Sequence, residues 1–352
     1  MEPAQELNTD LLVREEEIAL PAPLVERSRT YMAGARAERT RQAYSAAWLH
    51  FTTWCTAHGR RALPAEPATV AAWITALADG EHGGKPLSRA TINQYLCAVV
   101  LAHHTAGHAF DRKHPLLAET WRGISRHKAK TRPVRQAKAL MGEDLRSIIE
   151  GLQADGSAID ARDAALLLLG WAAALCRSEL IGLDWLELGG GTGFVGIEER
   201  GVVVTLPTSK GSQEAAATIV VPCQDMRSAC DTLERWAATA NLAKGEPVFR
   251  NVNKGGAVGV DRLTARSVAL IIKGRVRKLA IARGRSEQEA SELADLFSGH
   301  SMRAGYATTA GEHDVPGYRI QQRMRHKSMD TTGGYIRAGQ AWTKSGLKGF
   351  GF

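Results

Sequence analysis

Apolar positions in the first third of the chain recur at helical spacing. In "TRQAYSAAWLHFTTWCTAHG", Tyr44, Trp48, Phe51 and Trp54 follow at intervals of four, three and three, which puts four aromatic rings on one helix face. Gly59 and the Pro64/Pro67 region stop that helix. "EPATVAAWITALAD" predicts a second helix. "SRATINQYLCAVVLAHHTAG" predicts a third, opening on Ser88 as N-cap and closing at Gly107, and "HPLLAETWRGISR" a short fourth. Apolar stripes of this kind pack on one another, so residues 24–125 read as an all-α bundle.

The pattern changes in the second half. "EDLRSIIEGL" and "ARDAALLLLGWAAALCRSELIGL" predict helices, the latter apolar on nearly every face and therefore buried. "GFVGI", "GVVVTLP" and "ATIVVP" are short, β-branched and bounded by Gly and Pro, which predicts a small antiparallel sheet. "PTSKGSQ" joins two of these strands and carries Lys210 near a hairpin tip. Helix resumes from about Asp225 to the end. The expected fold class is mainly α in two domains. An acidic tail (1–23) leads into the helical domain (24–125), then a basic linker (126–139) and an α+β domain with a small antiparallel sheet (140–352).

Composition adds a partner. A chain of 352 residues, 44% hydrophobic and 23% charged, exceeds one ordinary domain and reads as globular rather than disordered. The net charge of +8 and a pI near 9.4 point to an anionic partner, nucleic acid before membrane surface. Within "RHKAKTRPVRQAKAL", Arg126, Lys128, Lys130, Arg132, Arg135 and Lys138 occur with no acidic residue before Glu143. Such a run can be a solvated connector and can also track a phosphate backbone. The longest apolar stretch, Ala164 to Cys176, is too short to cross a bilayer, and no targeting segment is visible. Five scattered cysteines without a CxxC pair predict a reducing cytoplasm, with neither a disulfide framework nor a zinc site.

The candidate chemistry centres on "RHKSMDTTGGYIRAG", where Tyr335 follows His326 by nine positions in a basic setting. A phenol, with a pKa of about 10, is a poor nucleophile near neutral pH and needs help. Attack on a phosphodiester builds charge on the non-bridging oxygens, which fixed cationic donors stabilise, and the leaving oxygen needs a proton. "FSGHSMRAGYATTAG" supplies His300 and Arg303, three apart on one face of a predicted helix. Lys210 is a flexible donor of the type that reaches a leaving oxygen. Singly each residue is ordinary: a surface HxxR pair, a solvated lysine, a GGY turn. Their order and spacing together are not.

A TSKG hairpin lysine, then HxxR, then His and Tyr nine apart: in this order the chain resembles the tyrosine recombinase (phage integrase) family over about residues 24–352. The resemblance implies that an all-α core-binding (SAM-like) domain and a catalytic domain clamp duplex DNA. Tyr335 would then be the nucleophile, forming a 3′-phosphotyrosyl bond, and Lys210 the general acid toward the 5′-hydroxyl. Arg303, His300 and His326 would surround the scissile phosphate. It implies no cofactor, metal or ATP, because the phosphotyrosine stores the bond energy. It also implies DNA contacts from the basic run and from Arg41 and Arg89, and a homotetramer on two recombination sites, with room for accessory DNA-bending proteins. The closing segment, with Trp342, Leu347, Phe350 and Phe352, would pack on a neighbouring protomer.

Two positions depart from the family pattern. The family's first arginine lies in Gly/Ala-hydrophobic-Arg-x-Ser-Glu-Leu, whereas "AALCRSEL" sets Cys176 there, with Glu179 as the acidic companion. On a helix Arg177 would point about 100° away from that position. Arg325 stands where glycine commonly precedes the histidine. The expected consequence of Cys176 is slow or absent cleavage that Cys176→Arg would raise. Three functions follow: an active site-specific recombinase or integrase, a catalytically silent recombinase-fold DNA-binding protein, or a type IB topoisomerase. The last shares the chemistry, but the helical first half and basic run favour the recombinase.

Overall fold

The computed structural model describes residues 21–34, 38–81, 84–131, 137–207 and 216–340. The chain divides into two compact units, one ending at Arg135 and the other starting at Gln136.

The first unit consists of α1 (Ala22–Gly34), α2 (Glu38–Ala57), α3 (Pro67–Asp79), α4 (Arg89–Thr105) and α5 (Pro115–Thr131). The aromatic stripe of α2 does what its spacing predicts. Phe51 and Trp54 are buried, Trp48 packs against the same core, and the Phe51 ring lies 4.7 Å from that of Trp73 on α3. Ser88 caps α4 by accepting the Thr91 N–H. His103 is fully buried with both ring nitrogens engaged: Nε2 accepts the Ala65 N–H and Nδ1 bonds the Val99 carbonyl.

The basic run differs from a plain connector. Residues 126–131 form the last turns of α5, and Lys128 is buried, its Nζ donating to the Ala78 carbonyl at 2.6 Å. That carbonyl belongs to the C-terminal turn of α3, the negative end of its dipole, so the lysine fastens α5 to α3. Arg126 and Lys130 stay exposed, while Arg132 and Arg135 lie outside the described residues.

The second unit orders as α6 (Gly142–Asp155), α7 (Ala158–Ala172), α8 (Arg177–Ile181), β1 (Leu183–Trp185), β2 (Gly193–Glu198), β3 (Gly201–Leu206), β4 (Ala217–Pro222) and α9 (Arg227–Thr239). It continues with β5 (Arg250–Val252), β6 (Val258–Arg262), α10 (Ala265–Ala282), α11 (Glu287–Asp295), α12 (Ser301–Glu312), α13 (Gly317–Met324) and α14 (Met329–Gln340). The three expected strands are β2, β3 and β4, paired antiparallel in that order, and β1 adds a parallel edge next to β2. A second sheet, β5–β6, interrupts the stretch expected to be helical after Asp225. At three and five residues these strands are too short to declare a period of two.

α7 is buried along almost its whole length, as its apolar sequence demands. The single helix expected from Ala161 to Leu183 nevertheless breaks. Ala174 takes a left-handed φ of 47°, and the Leu175 N–H reaches back to the Gly170 carbonyl, a Schellman ending with alanine where glycine is usual. Cys176 then sits in extended conformation as the N-cap of α8. The helical rotation of about 100° per residue therefore does not relate Cys176 to Arg177.

The cysteines also depart from expectation. Cys223 and Cys230 form a disulfide, with their α carbons 5.9 Å apart. The spacing matched no motif, but the chain reversal between the end of β4 and the first turn of α9 brings the two together. Among the described residues no helix is long and apolar enough to cross a membrane.

The glycines of the last helices set a distance. The "GGY" run is not a turn: Gly333 and Gly334 lie inside α14. A Cβ on Gly339 would stand 2.3 Å from the Thr308 carbonyl oxygen of α12, and one on Gly311 would stand 3.1 Å from the Ile336 α carbon. The two helices approach through these gaps. Gly339→Ala should therefore push α14 away from α12 and lower stability by about 1–3 kcal/mol. Gly334 is exposed with nothing within 4 Å of a built Cβ, so Gly334→Ala should raise helix stability by about 0.5–1 kcal/mol. Urea melts of the two variants check the pair; equal effects would place the constraint elsewhere.

Candidate active site

Four helix ends and one helix face converge in the second unit. Arg303, in the first turn of α12, is buried and bridges two of them. Its Nη1 donates to the Ala174 carbonyl at 2.7 Å, beyond the end of α7, and its Nη2 donates to the Met324 carbonyl at the end of α13. Unpaired carbonyls at helix C-termini attract cations, and more than one arrives here. Arg323 Nη1 bonds the Ala172 carbonyl at 3.0 Å, and the Arg325 guanidinium reaches those of Ala173 and Ala174 at 3.4 and 3.5 Å.

The histidines and the tyrosine stand beside Arg303. His300 is the N-cap of α12, and its Nε2 lies 2.9 Å from the Tyr335 hydroxyl. His326 follows the end of α13 and stacks near the Tyr335 ring at 6.2 Å. Its Nδ1 exchanges a hydrogen bond with the buried Thr332 hydroxyl, which orients the ring.

Electrostatics follow from this crowding. Burial, then the charges of Arg303, His300 and Arg325, push His326 down to about 4. His300 is lowered by burial first, then by Arg303 and Arg177. Burial raises the Tyr335 phenol above its usual range, with Arg303 pulling the other way. Arg303 is itself lowered, by burial and by Arg325, against the opposing pull of Glu179. A phenol that holds its proton this firmly needs a base, and a neutral imidazole at hydrogen-bond distance is one.

Cys176 and Glu179 sit on the same rim. Glu179 Oε2 accepts the Cys176 N–H at 2.7 Å, and the Cys176 thiol lies 3.1 Å from the Ser178 hydroxyl. Arg177 is exposed, and its stem packs against Gly299 next to His300. The structure thus gathers Tyr335, His300, His326, Arg303, Cys176 and Glu179. Lys210 lies outside the described residues, as does the tail with Trp342, Leu347, Phe350 and Phe352. Lys138, exposed at the start of the second unit, places its ammonium 5.9 Å from the Phe297 ring centre. In the first unit Arg41 belongs to α2, and Arg89 opens α4, exposed. Among the described residues no cluster of three or more His, Cys, Asp or Glu side chains is arranged to hold a metal ion.

Two partners in the site left little trace in the sequence. Arg325 Nη2 pairs with Glu179 Oε2 at 2.6 Å, both side chains almost enclosed, and Thr332 orients His326. The signal for Arg325 was its place after a helix end, where glycine is usual.

A tyrosine hydrogen-bonded to a histidine beside a buried arginine thus stands on a mainly helical chain with a small sheet. Residues 138–341 match the phage integrase family, and the chain belongs to that family. It is 29% identical over 320 residues to an integrase/recombinase xerD homolog of Selenomonas ruminantium, a match spanning 89% of this chain and 85% of that protein. Its fold is similar to that of the XerH site-specific recombinase bound to palindromic difH substrate in a post-cleavage complex. That likeness has a TM-score of 0.58 at 14% identity and covers 98% of this chain and 92% of the other. The Tn1549 transposon integrase in complex with transposon right end DNA is similar at a TM-score of 0.52 and 15% identity, over 98% and 99% of the two chains.

The lowered histidines carry a pH dependence. Unfolding returns His326 to its usual value near 6.5, so between about 6.5 and about 4 the unfolded chain binds a proton that the folded chain refuses. This contribution leaves stability undiminished above that window and lowers it as the pH falls through it. His326→Gln should lose less stability than the parent between neutral and mildly acid pH in urea titrations. An equal loss would remove His326 as the source.

Proposed function

We propose that this chain is a site-specific DNA recombinase that cuts and rejoins duplex strands through Tyr335. The observation that carries the reading is the 2.9 Å contact between the Tyr335 hydroxyl and His300 Nε2, beside Arg303 and His326. In the forward step Tyr335 Oη attacks the phosphorus, its proton passes to neutral His300 Nε2, and the bond from phosphorus to O5′ breaks. Lys210, by family resemblance, supplies the proton to that leaving oxygen. Arg303 and His326 stabilise the charge that develops on the non-bridging oxygens. The 3′-phosphotyrosyl linkage retains the bond energy, so a 5′-hydroxyl from a second strand rejoins by the reverse path. The first unit serves as the core-binding domain and the second as the catalytic domain, four copies acting on two sites. The solved relatives carry DNA in their complexes, which supports duplex DNA as the partner here.

Tyr335→Phe removes only the hydroxyl. Duplexes selected from a random library by the Phe protein, then nicked near their centre, should form covalent adducts with the parent chain and none with Tyr335→Phe, at equal affinity. Adducts with the Phe protein would sink the assignment.

The DNA path includes exposed Arg126 and Lys130, whereas Lys128 is committed to α3. Arg126→Ala with Lys130→Ala should weaken binding to all sequences alike and shrink the slope of log K against log salt by up to about 0.9 per lost contact. Lys128→Ala should instead lower the stability of the first unit, read by thermal melting. An unchanged salt slope in the double variant would leave the run as spacer.

The second reading, a catalytically silent DNA-binding protein, is favoured by one observation: a cysteine rather than an arginine at position 176 beside Glu179. An arginine clamp on a transferring phosphoryl group can be worth about 10³–10⁵ in rate. Adduct formation by the parent chain separates the two readings.

A further inference from the structure

A phosphodiester under attack spreads charge over its non-bridging oxygens, and one guanidinium leaves part of that charge without a fixed partner. At position 176 this chain offers a thiol, which brings no positive charge and at most one weak donor. Glu179, the carboxylate next to it, is paired all the same. Arg325 Nη2 holds it at 2.6 Å, with only 11% and 12% of the two side chains exposed. The same Glu179 oxygen accepts the Cys176 N–H, so one carboxylate oxygen separates the Arg325 guanidinium from the Cys176 backbone. The same Nη2 also reaches the Ala174 carbonyl at 3.5 Å, which it shares with Arg303. A second arginine is therefore built into the site, between Arg303 and residue 176, from a different helix.

The backbone at Arg325 points the same way. Its φ and ψ of 54° and 39° are left-handed, the C-cap conformation that glycine adopts freely and a residue with a Cβ adopts against a steric cost. The turn asks for glycine; what arginine adds is its side chain. Part of that side chain is not used by the fold, since Arg325 Nε is buried with no hydrogen-bond partner.

We infer that Arg325 takes the place of an arginine at residue 176 as the guanidinium paired with Glu179, and so holds Glu179 and Arg303 in position for the scissile phosphate. It is a positioning residue, acting through those two partners, and the inference rests on the recombinase reading. It reverses the expectation attached to Cys176: the parent chain cleaves. An arginine introduced at position 176 alone would compete with Arg325 for one carboxylate and add a third like charge to the cluster.

The test is a cycle on the selected, centrally nicked duplex, reading affinity, thermal stability and the single-turnover rate of adduct formation. Arg325→Gly relieves the strained turn and should keep affinity while slowing adduct formation by about 10²–10³. Cys176→Arg alone should give no gain, and Cys176→Arg combined with Arg325→Gly should recover most of the loss, a coupling that a merely structural role cannot produce. Arg325→Lys keeps the charge and should fall between the parent and Arg325→Gly, which preserves the test if the glycine variant is unstable. Parent-like cleavage by Arg325→Gly, or no recovery in the double variant, would overturn the inference. Loss of cleavage in Arg177→Ala with parent-like Arg325→Gly would overturn it in favour of Arg177. A silent parent that Cys176→Arg switches on overturns the inference but keeps the recombinase reading. Silence in both, with the duplex still bound, overturns the recombinase reading and the inference with it.

Discussion

The site depends on one buried guanidinium that ties two helix ends together. Arg303 donates to the Ala174 carbonyl beyond α7 and to the Met324 carbonyl at the end of α13. A buried charge without such partners would be costly, and a helix C-terminus leaves carbonyls that need donors, so each requirement meets the other. The turns that expose those carbonyls both use left-handed residues that are not glycine, Ala174 and Arg325. Where α7 and α13 stop is thus inseparable from where Arg303 points.

The electrostatic character of the site follows from the same knot. Arg303, Arg323 and Arg325 crowd the end of α7, with Glu179 as the carboxylate that pairs with one of them. Burial first, and then excess positive charge at close range, lowers both nearby imidazoles, which suits His300 to receive a phenolic proton rather than offer one. The phenol is brought to it by packing. Gly311 and Gly339 let α14 approach α12 more closely than side chains with a Cβ would allow, and this fixes the height of Tyr335 over His300.

Much of this was legible from residue order. Helical periods of aromatic and apolar residues located the first bundle and the buried α7, because a face that must be buried imprints its spacing on the sequence. The three β-branched runs located β2 to β4. The candidate set of Tyr335, His326, His300 and Arg303, which the fold brings together, was legible because each type suits phosphoryl chemistry and their spacing is unusual in combination. Strands as short as β5 and β6 and a disulfide without a motif left no periodic trace. Lys128 read as one more cation in a run, since burial of a lysine on a helix C-terminus depends on which helix end lies within its reach.

By itself, then, the sequence determined the class of fold, the family and the candidate side chains for the chemistry, since these rest on local periodicity and on the identity of reactive groups. Only the tertiary structure decided the partners. The break after Ala172, which places Cys176 in an extended cap rather than on a helix, needed the Gly170 carbonyl to capture Leu175. The pairing of Arg325 with Glu179, 146 positions apart, needed α13 to end beside α8. Glu179 and Arg325 are far apart along the chain, and nothing in a linear pattern relates them. They meet because a carboxylate left unpaired in a nearly enclosed site draws in whichever guanidinium the fold brings within reach.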